Sequence, residues 1–503
     1  MDEADVCLIL EGTYPYVSGG VSTWAHDLII SQPQLTFSLV CILAPDSKRD
    51  LKYEIPENVI EIRHIVLQKL PERDRRIPKK WRENLFKDLE IPILHLQYKA
   101  KLQYLKQILK SLNHGNFKPD EHVLLNSYEA WKMLLRMYRS SVGEGSYLNF
   151  FWSWRGLLAG MYSVLIADLP LAKVYHSLCT GYAGLFLARA HVITGNPCVL
   201  TEHGIYTNER RIEITAASWL NDQKAMSLNI MRPLYERDLK DYWIDTFSGY
   251  SQLCYQACNK IITLFEGNQK FQLEDGADPE KMMIVPNGID VERYAAIPKE
   301  YDHPPTVAFI GRVVSIKDVK TFIRAVAAAK LLVPQIKALV MGPTDEEEEY
   351  FQECVDLVKT MKLQDTLTFT GKLKIEEHLS RIDLIVLTSV SEAQPLVILE
   401  AGAAGIPFVA TDVGACRELA FGRSDESPPL GQGGEICPLS NAKEVADSIV
   451  KLLTNERFYK SCSVALAERI RLYYNKDRQR EAYSKIYEEQ FMISNKESIA
   501  WQG

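Results

Sequence analysis

The stretch Leu384–Gly414, LIVLTSVSEAQPLVILEAGAAGIPFVATDVG, contains one complete strand, helix, strand unit. Leu384–Leu387 is apolar at every position, as a strand buried on both faces requires. A helix is expected to start near Pro395, whose missing N–H is harmless in a first turn, and Pro407–Ala410 supplies the next strand. Two strands joined through a helix run parallel. The pattern extends outward on both sides. Thr306–Ile310, Lys337–Met341 and Thr366–Thr370 read as further strands, alternating with helices such as Lys317–Leu332 and Asn441–Leu453. An earlier series reads Val6–Leu10, Thr36–Leu43, Lys173–His176, Cys198–Thr201, Lys260–Leu264 and Met282–Val285. The fold class is therefore α/β, with two Rossmann-like doubly wound domains.

At 503 residues the chain exceeds what one core accommodates, roughly 250–300 residues, so two domains are expected on length alone. The Pro-rich stretch Ile297–Pro305 sets the boundary: a first domain over 1–300, a second over 301–475, and a terminal helix over 476–503 packing back toward the first. The interval from about 63 to 173 is too long for one βα connection and predicts a helical insertion. Residues 63–110 hold 13 Lys/Arg and 5 Asp/Glu, including Arg75, Arg76, Lys79 and Lys80. This basic run is either a solvated face or a docking surface for anionic lipid or an acidic partner.

The formal net charge of −7 argues against a dedicated nucleic-acid binder. Ten cysteines, several inside apolar runs, fall far below the density of a disulfide scaffold. The start, MDEADVCLIL, lacks the basic residues of a secretion signal, and the apolar window GLLAGMYSVLIA at 156–167 is shorter than the roughly 18–20 residues that span a bilayer. A cytoplasmic location is expected, with contact to the inner-membrane surface left open.

Five features carry possible chemistry. After the first strand, EGTYPYVSGGVSTWAHDL places Gly19 and Gly20 before a helix whose N–H groups would suit a phosphate, although a tight βα turn is the commoner meaning of such a pair. After Thr306–Ile310 comes GRVVSIKD: Gly311 frees the turn, Arg312 offers a fork of donors and Lys317 a point charge, together a diphosphate clamp or a solvated turn. Glu392 and Glu400 are eight apart, one in the loop and one on the second helical turn. Glu400 lies in an apolar helix, so it needs a polar partner, either a ligand hydroxyl or an internal one. His176 and His203 each end a strand, where open α/β sheets bind ligands, and each is alternatively a structural core histidine. The acidic run Asp345–Glu349 reads as a solvated helix start.

Gly19-Gly20, the histidine after a mid-domain strand, PNGID at 286–290, GRVVSIKD, the Glu-x7-Glu spacing and ATDVG, in that order, resemble the retaining GT-B glycosyltransferases of family four. The opening LILEGTYPYVSGGVSTWAHDLI, with HSLCTGYAG, TEHGIYTNER and the helical insertion, resembles more narrowly the cytosolic glycosyltransferases of Pel-type exopolysaccharide biosynthesis. The resemblance implies a nucleotide-sugar donor in a central cleft between two facing domains. Arg312 and Lys317 would hold the diphosphate and neutralise the leaving group. Glu392 would sit by the donor sugar and Glu400 by the ribose hydroxyls. Backbone N–H groups around Leu396 and Val397 would reach sugar and phosphate oxygens, His203 would meet the donor sugar, and Gly19 and Gly20 would approach the diphosphate.

No Asp-x-Asp and no zinc-ligand spacing occurs, so metal-independent chemistry with no cofactor is expected, and the resemblance implies a UDP-sugar as the donor. Same-face attack assisted by the departing phosphate would retain configuration, as would a double displacement. The implied partners are the donor, a polysaccharide acceptor and inner-membrane synthase components reached through the basic insertion. Ala393, Gln394 and Pro395 depart from the Gly or aromatic that many members carry after the first Glu. Rival readings are a non-catalytic sugar-nucleotide-binding subunit and a GT-B sugar-nucleotide epimerase.

Overall fold

The computed structural model describes residues 3–72, 77–113, 119–141, 146–216 and 238–500, so Arg75 and Arg76 of the basic run lie outside the described residues. The chain divides into two compact units. The first comprises Met1–Thr263, Gln269–Met283 and Tyr483–Gly503, and the second Leu264–Asn268 with Ile284–Ala482.

The early part of the chain forms β1 (Ala4–Glu11), α1 (Gly20–Ile30), β2 (Phe37–Leu43), β3 (Val59–Val66), α2 (Lys79–Tyr98), α3 (Leu102–Leu112), α4 (Glu121–Asn126), α5 (Tyr128–Ser141) and α6 (Tyr147–Leu165). It continues through β4 (Ala172–Ser177), α7 (Tyr182–Thr194), β5 (Cys198–Glu202), α8 (Tyr206–Ala216), α9 (Leu239–Ala257), β6 (Lys260–Thr263), α10 (Glu266–Glu274) and β7 (Met282–Ile284). The strands make one parallel sheet in the order β3-β2-β1-β4-β5-β6-β7, with Val6 opposite Phe37 on one side and Val174 on the other. Helices cover both faces, so β2 is buried at all of its positions. The edge strand β3, VIEIRHIV, alternates apolar with charged residues and is mostly half-buried, which is why an apolar-run criterion passes over it.

The predicted insertion is present as α2 to α6. Asp120 caps α4 by accepting from Val123 N at 2.9 Å, and Ser146 caps α6 through Asn149 N. Phe150, Trp154, Leu157 and Met161 on α6 join Leu105, Leu109, Met133 and Met137 in the same core as the sheet.

The second unit holds α11 (Val291–Ala295), β8 (Thr306–Ile310), α12 (Val319–Lys330), β9 (Lys337–Met341), α13 (Glu348–Thr360), β10 (Leu367–Gly371) and β11 (Leu384–Leu387). There follow α14 (Leu396–Ala403), β12 (Phe408–Thr411), α15 (Cys416–Phe421), β13 (Gly434–Cys437), α16 (Ala442–Thr454), α17 (Glu456–Tyr473) and α18 (Lys476–Ala500). Its sheet is also parallel, ordered β10-β9-β8-β11-β12-β13, and β11-α14-β12 is the unit anticipated from Leu384–Gly414. Residues of α18 from Tyr483 onward belong to the first unit, where Tyr483 and Tyr487 are fully buried.

Candidate functional site

In each sheet the strand C-termini gather the polar residues, and in the second unit they are mostly charged. Gly311 leaves β8 with room to spare: a Cβ there would meet Phe309 at an ordinary 3.6 Å. The close approach belongs to Gly342 after β9, where a Cβ would fall 2.0 Å from the Gly311 carbonyl oxygen. Lys317 ends a short 3-10 turn, Ser315–Lys317, and the α12 helix starts beyond it. Asp318 caps that helix, accepting from Thr321 N at 3.2 Å, which fixes the chain direction beside Lys317.

The Lys317 ammonium donates to Glu392 Oε1 at 2.5 Å, and the Ser389 hydroxyl donates to the same oxygen at 2.6 Å. Side-chain exposures of 20% and 12% make this a largely desolvated pair. Gly414 of ATDVG holds the Glu392 loop in place. It sits at φ +53°, and a Cβ there would lie 2.1 Å from the Ala393 carbonyl oxygen, while Ala415 N donates to that oxygen at 2.8 Å. Gln394 also anchors the loop, its Oε1 accepting from Asn287 N of PNGID at 2.7 Å.

Arg312 is brought into a different contact. Its guanidinium donates to Glu346 at 2.5 Å, both side chains being about half exposed, and Ser315 N donates to Glu347 at 2.9 Å. The acidic run is thus more than the expected solvated helix start. Two of its carboxylates occupy the Arg312 loop, because that loop presents the nearest cation and a free backbone donor.

Pro395 precedes α14 and offers no side-chain cap, so Leu396 and Val397 stand in a first turn whose N–H groups have no partner within the helix. One turn on, the Glu400 carboxyl takes a hydrogen bond from Tyr294 of α11, and burial pushes its pKa up to about 7. Glu400 therefore has an internal partner in the protein itself.

The first unit assembles an aromatic cluster around His203. Gly19 and Gly20 open α1, and no atom lies within 4 Å of a Cβ at either, so packing does not demand glycine there. Trp24 of α1 meets His203 edge-on with ring centroids 4.7 Å apart, and Tyr483 packs on Trp24 at 5.2 Å. His203 is 8% exposed, and burial lowers its pKa to about 4, so it is neutral at pH 7. Its Nε2 and the Trp24 Nε1 are buried polar atoms without a hydrogen-bond partner. His176 follows the structural alternative. Its Nδ1 pairs with Tyr487 Oη at 2.7 Å and its Nε2 with Thr201 Oγ1 at 2.9 Å, and burial holds its pKa down at about 3.

Three groups escaped the sequence reading. Glu202, at the end of β5, is fully buried and collects donors from several elements: Tyr255 Oη at 2.8 Å, Gln272 Nε2 at 3.0 Å, Tyr206 N at 3.3 Å and Thr180 Oγ1 at 3.4 Å. Burial pushes its pKa up to about 7. Glu11, at the end of β1, accepts from Ala183 N at 2.9 Å and Tyr206 Oη at 3.0 Å. The available signal was an apolar strand ending in Glu, as in LILE and CVLTE. Trp24 carries no such signal, since a tryptophan on an amphipathic helix usually reads as core.

Residues 4–280 match the family described as "Domain of unknown function (DUF3492)", and residues 304–455 match "Glycosyl transferases group 1". The N-acetyl-alpha-D-glucosaminyl L-malate synthase of Bacillus anthracis is 27% identical over 190 residues, 38% of this chain and 47% of that protein. The D-inositol 3-phosphate glycosyltransferase of Kineococcus radiotolerans is 27% identical over 201 residues, 36% of this chain and 45% of that one. The chain thus spans about half the length of these curated relatives. Among solved structures, Anabaena Alr3699/HepE in complex with UDP superposes with a TM-score of 0.59 at 13% identity, covering 96% of this chain and 100% of that one. Sucrose-phosphate synthase from Thermosynechococcus elongatus gives 0.58 at 15% identity, with 97% and 99% covered. At such identities the likeness is one of fold, and it corroborates the two Rossmann-like sheets of the GT-B class.

Proposed function

The chain belongs to the DUF3492 family, and we propose that it is a retaining glycosyltransferase moving a hexose or N-acetylhexosamine from a UDP-sugar to a growing Pel-type extracellular polysaccharide on the cytosolic side of the membrane. The observation that carries this reading is the Lys317–Glu392 pair at 2.5 Å, after the first strand of the segment that matches group 1 glycosyl transferases. UDP is carried over from the Anabaena complex.

Lys317 and Arg312 take the diphosphate, exchanging their carboxylate partners for phosphate oxygens, and two cations on the diphosphate supply the charge a metal would otherwise bring. The anomeric C–O bond to phosphate breaks as the acceptor hydroxyl forms its new C–O bond on the same face. The acceptor proton passes to the departing phosphate oxygen. Glu392, released from Lys317, is free to accept from sugar hydroxyls, as Glu400 is from the ribose. In the first unit, neutral His203 offers a hydrogen bond to an uncharged hydroxyl.

The test is turnover of candidate UDP-sugars, read as UDP release and as polymer-bound sugar. Wild-type release that disappears in Lys317→Ala and in Glu400→Ala, with folding intact, supports the reading; full activity in both variants contradicts it. Nucleotide binding without release would instead favour a non-catalytic sugar-nucleotide-binding subunit.

A further inference from the structure

We propose that the exposed aromatic face shared by α5 and α6 in the helical insertion is a docking surface for a membrane rich in anionic phospholipid. Tyr128 is 65% exposed, Trp131 44%, Leu148 62% and Trp152 61%. Ring contacts join the two tryptophans, and Tyr128 and Leu148 lie one helical turn before them on the same helices. Trp131 lies 6.0 Å from Tyr147 and 6.2 Å from Phe151 by ring centroids, and Phe151 lies 5.0 Å from Trp152. A contiguous aromatic face left in water marks an interaction site, and scattered surface hydrophobics do not cluster in this way.

Charge selects the occupant. α5 and α6 carry Lys132, Arg136, Arg139 and Arg155 against one acid of their own, Glu129; Glu90 of α2 and Glu121 of α4 hold Arg136 and Arg155, so Lys132 and Arg139 are the cations that face outward from these two helices. Glu129 is held by Arg82 of α2 at 3.1 Å, and that contact sets the first turn of α2, with exposed Lys79 and Lys80, beside the first turn of α5. Tryptophan and tyrosine with flanking lysines suit the headgroup layer, where rings enter the acyl boundary and ammonium groups meet lipid phosphates. No helix among the described residues is long and apolar enough to cross a membrane, so the contact is with its surface. Two other occupants fit poorly. The Lys132 ammonium sits 4.4 Å over the Tyr128 ring, where a pyranose would have to stack. A second copy docked through the same face would set these cations against their own counterparts.

Flotation of the full chain with vesicles tests this. Phosphatidylcholine vesicles containing 30 mol%, roughly a third, phosphatidylglycerol should carry the protein about tenfold better than phosphatidylcholine alone, an advantage lost at high salt. Leu148→Ser with Trp152→Ser, both at solvent-facing positions, should lose about tenfold on either vesicle while melting with the wild type. Lys79→Glu with Lys80→Glu and Lys132→Glu should lose only the preference for phosphatidylglycerol. Absence of flotation with anionic vesicles, or flotation unaffected in both variants, overturns the proposal. So does a dimer, or capture on neutral polysaccharide, abolished by the serine pair without change in flotation. The outcome is independent of transfer activity, so it stands or falls apart from the proposed function.

Discussion

The strand ends of the two sheets solve the same problem with opposite chemistry. In the second unit they present charged side chains, Arg312, Lys317, Glu346 and Glu392, each already held by an opposite charge. In the first the carboxylates Glu11 and Glu202 are already held by protein donors, and beside His203 stand Trp24 of α1 and Tyr483 of α18, a neutral group nearly closed to water in which the Trp24 Nε1 and His203 Nε2 are unpaired. Under the proposed function the difference suits them to different ligands. Charge pairs that exchange partners suit a diphosphate, whereas unpaired neutral donors and acceptors in an aromatic wall suit hydroxyls. The first kind of site should answer to salt and charge substitution, the second to pH and to the removal of single hydrogen bonds.

The largest effect is expected at Lys317. On the proposed reading Lys317→Ala removes the positive charge that takes the leaving group and should lower kcat by about 10²–10³-fold, roughly 3–4 kcal/mol, in steady-state kinetics. Arg312→Ala should fall short of this, since its guanidinium is half exposed and better screened. Equal losses would show that exposure is not what separates the two cations.

Next is the pH response of the first unit. Glu202 has its pKa raised from 4.5 to about 7, so its contribution to stability is complete below pH 4.5 and is lost as pH rises toward 7. The histidines run the other way. His203 and His176 are held down at about 4 and 3, so their contribution is complete above pH 6.5 and is lost as pH falls through those values. Glu202→Gln should therefore flatten the fall in melting temperature between pH 4.5 and 7, an effect of order 3 kcal/mol at full ionisation, and leave the acid limb unchanged. A variant that melts in parallel with the wild type at every pH would contradict this.

Smaller still is the effect of the acidic run. If Arg312 takes the diphosphate as proposed, Glu346→Gln with Glu347→Gln removes carboxylates that compete with it, and donor KM should fall by about two- to fivefold at low salt and less at high salt, the range of a surface ion pair. A higher KM would mean that these residues assist binding.

The same contrast governs what the sequence could show. The parallel order and the β11-α14-β12 unit were legible because buried strands flanked by helices leave unbroken apolar runs, and β3 was not because an edge strand keeps charges on its open face. The charged site was legible as well, since Lys317 and Glu392 lie in short glycine-punctuated loops that local spacing reveals. Their 2.5 Å contact was not, because it joins residues 75 positions apart. The neutral site was almost silent. Trp24, His203 and Tyr483 come from three distant segments, and nothing local distinguishes an aromatic residue lining a site from one filling a core. Likewise, Glu346 and Glu347 read as solvent-facing until the Arg312 loop appears beside them.

The most direct measurement is UDP release from a panel of UDP-sugars by wild type, Lys317→Ala and Trp24→Phe side by side. The account predicts release by the wild type, near-complete loss in Lys317→Ala, and in Trp24→Phe a loss that shrinks for one monodeoxy sugar, because the indole N–H then has no hydroxyl to meet. Wild-type turnover that Lys317→Ala leaves intact would contradict it.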